Sequence, residues 1–282
     1  MRRGLLLLLP AALLMGGCGG MDVMSVATVA AKGVPKAAQA ARPISDSEEY
    51  YVGRAVGARI LHQYPLSQDQ QLTLYVNEVG LAVARKSARP ETFRGYHCAV
   101  LESPEPNAFA CPGGTIFVTR GLIAMCDNED QLAAALAHEV AHVANKDGVN
   151  SISKARWTEV ITTMGTEAAK QYGGAAGSLV TLFEGSIDDV FKTIVVNGYS
   201  RTAEETADRD AVTTLRKAGY DPQALGQLLG KMLAREKGAA GGIYKTHPPT
   251  SERLAKLKAE AGGAAPPKEE EARSQRFKSL KI

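Results

Sequence analysis

The stretch from Asn128 to Ala144 constrains the fold of this chain more than any other. Its Ala and Leu content favours helix. Asn128, with Gln131 three residues later, has the spacing of an N-terminal capping box. Apolar residues recur along one face of the predicted helix: Leu132, Leu136, Val140 and Val143. The sequence therefore predicts a buried helix, and His138 and His142 lie beside its apolar face.

These two histidines belong to an H-E-x-x-H sequence, His138-Glu139-Val140-Ala141-His142. Residues four apart share one face of a helix, so both imidazoles can bind one Zn²⁺. Glu139 lies beside them, where it can polarise a metal-bound water. The motif predicts a metal-dependent hydrolase. The alternative is a helix that carries two surface histidines by coincidence.

A catalytic zinc needs a third protein ligand and keeps one position for water. No third histidine follows closely, so a carboxylate is the natural candidate. A second helix is predicted to begin with Thr202 as its N-cap and to end at Gly219. Within it, Glu204 could bind the metal and Asp208, on the same face, could orient a ligating histidine. The alternative is a solvated first turn whose acidic residues compensate the helix dipole.

The order of these motifs resembles peptidase family M48, a family of zinc metallopeptidases. H-E-x-x-H is followed some sixty residues later by Ser-Arg-x-x-Glu-x-x-x-Asp. Three other stretches fit the same pattern: Pro106–Gly114, Thr115–Leu122 and Thr246–Arg253. Similarity extends from about Ser45 to Leu257 and is closest to envelope members that act in outer-membrane assembly and quality control.

The resemblance implies an α+β fold, mainly α, of the gluzincin type of zincin, with a small β-sheet and an active-site helix. It implies that His138, His142 and Glu204 bind one Zn²⁺ per chain, with Asp208 as a supporting carboxylate. The implied reaction is peptide-bond hydrolysis. Zinc would polarise the scissile carbonyl, and Glu139 would take a proton from the bound water and pass it to the leaving amine.

The resemblance further implies that the strand Thr115–Thr119 is an edge strand that binds an extended substrate by strand addition. Thr115 and Phe117 would line this edge. Gly113 and Gly114 would permit close approach of a backbone.

His247 lies in the Thr-His-Pro stretch. The resemblance implies that it can occupy the open zinc position and keep the enzyme latent. A histidine that contacts the substrate and a histidine that only packs in its loop are the alternatives. Arg253 is a candidate contact for a cleft carboxylate, with a surface ion pair as the alternative.

The N-terminus predicts export. Residues 1–17 have the form of a lipoprotein signal peptide, with Arg2 and Arg3 before an apolar run and Cys18 as the lipidated residue. Simple cleavage that yields a soluble periplasmic protein is the alternative. Gly19, rather than Asp, favours the outer membrane over the inner one. The predicted location is the periplasmic side of a bacterial membrane.

Composition divides the rest of the chain. Residues 18–44 are predicted to form a flexible tether, residues 45–260 the metallopeptidase domain and residues 261–282 a mobile low-complexity tail. Residues 145–198 separate the second and third ligands. In this insert, residues 154–171 are predicted to be helical and residues 173–177 flexible or bent. It is expected to pack on the core, with a lid or a contact face as the alternatives.

The net charge bears on the class of partner, and the cysteines bear on disulfide formation. The formal net charge is +3 without a basic cluster, so the sequence gives no support for nucleic-acid binding. Cys98 and Cys111 could form a disulfide, with buried free thiols as the alternative.

The expected substrates are misfolded or unassembled envelope proteins, and lipid on Cys18 would provide the contact with the membrane. A zinc-binding lipoprotein that acts mainly as a chaperone or assembly factor is the competing function. A helical lipoprotein without a metal is a third. The sequence makes no prediction of oligomeric state.

Overall fold

The computed structural model describes residues 43–152, 184–235, 243–248, 250–263, 267 and 269–280. The predicted leader 1–17, Cys18, nearly all of the tether, the helix 154–171 and the bend 173–177 lie outside these residues and stay predictions.

The described residues form a mainly helical protein with one small sheet. The helices are α1 (Asp46–Gln63), α2 (Gln70–Ala84), α3 (Arg120–Met125), α4 (Glu129–Ala144), α5 (Asp147–Asn150), α6 (Glu184–Phe191), a π-helical turn (Lys192–Asn197), α7 (Arg201–Ala218), α8 (Ala224–Arg235), α9 (Ile243–Thr246), α10 (Ser251–Ala261) and α11 (Glu270–Lys278). The strands are β1 (His97–Leu101), β2 (Ala108–Cys111) and β3 (Thr115–Thr119). The predicted α+β fold, mainly α, is confirmed.

The sheet has the order β1-β3-β2, so β3 is its central strand. β3 runs parallel to β1 and antiparallel to β2. The prediction that Thr115–Thr119 is an edge strand is therefore wrong, because both sides of β3 already pair with other strands. Among the described strands, β1 and β2 form the two edges of the sheet.

Successive side chains of a strand point to opposite faces of the sheet, and here both faces are apolar. Ile116 and Val118 of β3 join the core that includes α2 and α4. Phe117, between them, joins the opposite core with residues of α1. The sheet thus separates two cores.

Helix α4 lies at the centre of the larger core. Its residues from Glu129 to Val143 are all buried, and it packs against α2, α7, α8, α11 and β2. It begins as predicted, since the Asn128 side chain accepts a hydrogen bond of 2.9 Å from the amide of Gln131. The motif histidines are therefore presented from a rigid, fully packed element.

Helix α7 begins two residues earlier than predicted. Its N-cap is Ser200, whose hydroxyl accepts from the amide of Ala203, and Thr202 lies inside the first turn. The prediction of Thr202 as the N-cap is therefore wrong: both residue types can cap a helix, but Ser200 makes the capping hydrogen bond. The helix ends as predicted at Gly219, which adopts the left-handed conformation with φ 79°.

The prediction of a mobile tail from residue 261 is corrected by α11. Arg273 donates two hydrogen bonds to Asp130, at 2.9 and 3.0 Å, and Arg276 donates two to Glu129. Phe277 is buried against the larger core. The charged composition of this segment suggested solvation, but its arginines have acidic partners on α4.

Cys98, Cys111 and Cys126 are buried free thiols, so the predicted alternative of a Cys98–Cys111 disulfide is wrong. Among the described residues, no helix combines the length and hydropathy that a membrane span requires.

Candidate metal centre

Two histidines of α4 form one side of a buried cluster. The Nε2 atoms of His138 and His142 lie 3.1 Å apart, and both side chains are buried. One helical turn separates the two residues, so the backbone of α4 brings these nitrogens together.

Two other elements complete the cluster. Glu204, from the first turn of α7, has Oε1 3.4 Å from His142 Nε2. His247, between α9 and α10, has Nδ1 2.9 Å from the same Glu204 oxygen and 3.2 Å from His138 Nε2. One donor atom from each of the four residues lies within 4.8 Å of every other, and all four residues are buried.

These spacings fit a tetrahedral metal site. Bonds of about 2.0–2.1 Å to nitrogen or oxygen place tetrahedral ligand atoms about 3.3–3.4 Å apart. Four of the six separations between the donors are 2.9–3.4 Å, close to that value. The residues present therefore suit a cation such as Zn²⁺, and His247 supplies the fourth corner.

The Nδ1 atom of each α4 histidine, which points away from the other donors, lies close to a carboxylate. Asp208 Oδ1 lies 3.1 Å from His138 Nδ1, and Asp147 Oδ2 lies 2.7 Å from His142 Nδ1. A carboxylate at Nδ1 orients the ring and turns Nε2 toward a metal. This role was predicted from the sequence for Asp208 but not for Asp147. The available signal was an acidic residue five positions after His142, just past the end of the helix.

Arg253 is buried within the same cluster. Its Nε and Nη2 each lie 2.8 Å from an oxygen of Asp208, and its Nη1 lies 2.8 Å from Glu204 Oε2. Arg253 therefore contacts carboxylates inside the cleft, and the alternative of a surface ion pair is wrong. Arg253 thus fixes both the ligand carboxylate and the carboxylate that orients His138.

The charges of the cluster depend on one another. Burial disfavours a charged imidazole, but Asp208 and Glu204 outweigh it and raise the pKa of His138 to about 10. Burial also opposes ionisation of Glu204, yet the neighbouring histidines hold its pKa well below the usual range. The carboxylates of the cluster therefore favour positive charge between them, as a cation site requires.

Glu139 lies beside the four donors. Its Oε1 is 3.6 Å from His247 Nε2, and its Oε2 is buried without a hydrogen-bond partner in the described part of the chain. Glu139, His138 and His247 also border an apolar cavity, whose other walls include Ala108, Leu225, Leu228, Met232 and Ile243. A carboxylate in this position can exchange a proton with a group held at the cluster.

Tyr199 is a further residue that the sequence analysis missed. Its ring stacks on His142, with centroids 4.2 Å apart and an interplanar angle of 26°. It lies in the short segment between the π-helical turn and α7. Nothing in the sequence pattern distinguishes this tyrosine from the others in the chain.

The residues predicted to line the substrate edge lie elsewhere. The backbone of Thr115 is paired on both sides, with His97 and with Cys111, and Phe117 packs in the core beside α1. A Cβ on Gly113 would lie 2.6 Å from the Cα of Tyr50, and one on Gly114 would lie 2.9 Å from the carbonyl oxygen of Gly95. The close approach at these glycines is therefore to the chain's own backbone.

The model for Peptidase family M48 matches residues 70–261, a segment that contains the four donors, Glu139 and both orienting carboxylates. The chain belongs to this family. The resemblance carried by the H-E-x-x-H helix and the Glu204 helix is thereby confirmed.

Individual members are similar at a moderate level. The chain is 30% identical over 229 residues to the beta-barrel assembly-enhancing protease of Escherichia coli (strain K12), covering 77% of this chain and 44% of that protein. It is 30% identical over 203 residues to the mitochondrial metalloendopeptidase OMA1 of Schizosaccharomyces pombe, covering 71% and 55%. A protease HtpX homolog of Salinibacter ruber is 29% identical over 189 residues, covering 58% and 68%. The chain spans about half the length of the first two relatives.

Proposed function

We propose that this member of peptidase family M48 is a zinc-dependent metalloendopeptidase. The observation that carries the proposal is the set of four buried donors within 4.8 Å of one another, with Glu139 beside them. His138, His142 and Glu204 would bind one Zn²⁺, while Asp208 and Asp147 orient the two histidines. Arg253 holds Glu204 and Asp208 in place.

Each residue has a defined part in the chemistry. When bound, the metal supplies Lewis acidity to water and to the scissile carbonyl. Glu139 accepts the proton of the attacking water and delivers it to the leaving amine. Its buried Oε2 has no hydrogen-bond partner among the described residues and is free to take up this proton. The buried surroundings keep bulk water from competing for these groups.

The proposed substrates are misfolded or unassembled proteins of the cell envelope, which expose extended apolar segments. β2 is one of the two edge strands and packs against α4, so strand addition to β2 would bring a peptide close to Glu139. The apolar cavity beside Glu139 suits an apolar substrate side chain. The E. coli relative is named for beta-barrel assembly, in keeping with an envelope substrate. Lipid on Cys18 would anchor this chain on the periplasmic side, at the outer membrane.

His247 is proposed to act as a latch, that is, a fourth protein ligand that excludes water from the metal. Its Nδ1 lies within 3.2 Å of His138 Nε2 and within 2.9 Å of Glu204 Oε1, as a ligand at the fourth corner would. A site with four protein ligands has no open position for catalysis. His247→Ala should therefore raise the rate of casein cleavage. An unchanged or lower rate would count against a latch.

The decisive test of the enzyme is Glu139→Gln. This variant should retain one zinc per chain by elemental analysis and lose cleavage of casein or of an unfolded envelope protein. Its envelope phenotype should disappear together with cleavage. A phenotype that survives in Glu139→Gln would instead favour the chaperone or assembly role, and purified wild-type protein without zinc would contradict the metal site.

A further inference from the structure

Gly198 makes an unusually close backbone contact. It follows the π-helical turn and adopts the left-handed region, with φ 78°. A Cβ at this position would lie 2.4 Å from the carbonyl oxygen of Thr246 and 3.1 Å from that of Lys245. Both atoms belong to the backbone of α9, which cannot turn aside as the tip of a flexible side chain can. Glycine is therefore required for the turn and α9 to touch.

Helix α9 carries His247 at its end. The amide of His247 donates to the carbonyl of Ile243 at 2.8 Å, and the amide of Ile243 donates to the carbonyl of Pro106 at 3.1 Å. Beyond the histidine, Arg253 donates to the carbonyl of Pro248 at 3.0 Å. The backbone of His247 is thus fixed from three sides: the segment before β2, helix α10 and the contact at Gly198.

We propose that Gly198 is a positioning residue for His247, and that movement of the π-helical turn releases this histidine from the metal centre. This inference rests on the proposed function. The turn packs against β2 as well as against α9. A substrate segment that displaced the turn in order to pair with β2 would also separate Gly198 from Thr246. Binding of the substrate would then itself remove His247 from the fourth metal position.

The test compares two glycine variants of the full chain. In Gly198→Ala, the new methyl group cannot fit against Thr246, so the contact must open. Gly262→Ala is the matched control, because Gly262 has φ 63° and ψ −169°, close to the φ 78° and ψ 171° of Gly198, and no described atom lies within 4 Å of its added Cβ. The two variants bear similar backbone strain, and only the first loses a contact.

Two measurements are made on each variant. Hydrogen exchange of a peptide that spans residues 243–248, measured in metal-free protein, should be severalfold faster in Gly198→Ala and unchanged in Gly262→Ala. In zinc-loaded protein, Gly198→Ala should cleave casein faster than wild type. The double variant Gly198→Ala/His247→Ala should cleave no faster than His247→Ala.

Equal exchange in the two glycine variants would overturn the proposal. So would faster exchange in Gly198→Ala without the gain in cleavage that His247→Ala shows. If neither the wild type nor His247→Ala cleaves casein, the proposed function fails, while the exchange data still decide whether Gly198 fixes the loop. If Gly198→Ala does not fold, Ile194→Ala replaces it. That variant loosens the turn by truncating a buried side chain, and the same directions are expected.

Discussion

At the scale of single residues, the metal centre depends on which nitrogen of each histidine faces the other donors. Asp208 and Asp147 each meet an Nδ1 atom, so both rings turn Nε2 inward. The two carboxylates come from different elements, α7 and α5. The sequence pattern predicted the first because it shares a helix face with Glu204, and missed the second because no periodicity marks it.

Asp147→Asn tests the second carboxylate. We expect zinc affinity to fall by about 10–100-fold, because the amide holds the His142 ring less firmly and makes it a weaker base. Competition with a chromogenic chelator measures the affinity. Asp127→Asn, which alters a partly exposed ion pair with Lys231, is the control and should leave affinity unchanged. Equal zinc affinity in both variants would contradict a role of Asp147 in the metal site.

At the scale of elements, α4 is held by its N-terminus as well as by its apolar face. Glu129 accepts hydrogen bonds from Tyr75 at 2.7 Å, from Tyr220 at 3.1 Å and from Arg276 of α11 at 2.7 and 2.8 Å. A carboxylate in the first turn also interacts favourably with the helix dipole. The C-terminal helix therefore stabilises the element that carries the histidines.

This arrangement predicts a pH-dependent contribution to stability. Burial raises the pKa of Glu129, but Arg276 and the tyrosines outweigh it, so the pKa in the folded protein lies below the ordinary value of 4.5. The stabilisation is present above that value and is lost as pH falls through the folded pKa. Glu129→Gln should lower the free energy of unfolding by about 1–3 kcal/mol at neutral pH and by progressively less in acid.

Urea denaturation at pH 7 and at about pH 4 measures this difference. Glu269→Gln is the control, because Glu269 is exposed next to the start of α11. A loss of stability in Glu129→Gln that is the same at both pH values would contradict an ionised Glu129 as its cause.

At the scale of the whole molecule, the metal joins segments that are far apart in the chain. His138 and His247 are 109 residues apart, and Glu204 comes from a third element. A cation that binds these groups only in the folded state stabilises the fold by mass action, by about 2.7 kcal/mol at a free concentration of 100 times Kd.

Removal of the metal should therefore lower the Tm of the domain. Thermal unfolding in zinc and in EDTA measures the shift. Glu204→Gln should show a much smaller shift than wild type, and Glu139→Gln, which keeps all the ligands, should show the full shift. The same Tm in zinc and in EDTA would contradict a metal held by α4, α7 and the α9–α10 connection.

The sequence by itself determined the features that depend on local geometry. Helical spacing brought His138 and His142 to one face of α4, and it brought Glu204 and Asp208 to one face of α7. Capping signals predicted the start of α4 and the end of α7. Only the tertiary structure decided which distant segments meet. It put β3 at the centre of the sheet, joined Asp147 and Arg253 to the cluster, docked α11 on α4 and set Gly198 against Thr246. The physical reason is that helix and turn geometry depend on neighbours within a few residues, whereas these contacts depend on the packing of surfaces that only the complete fold creates.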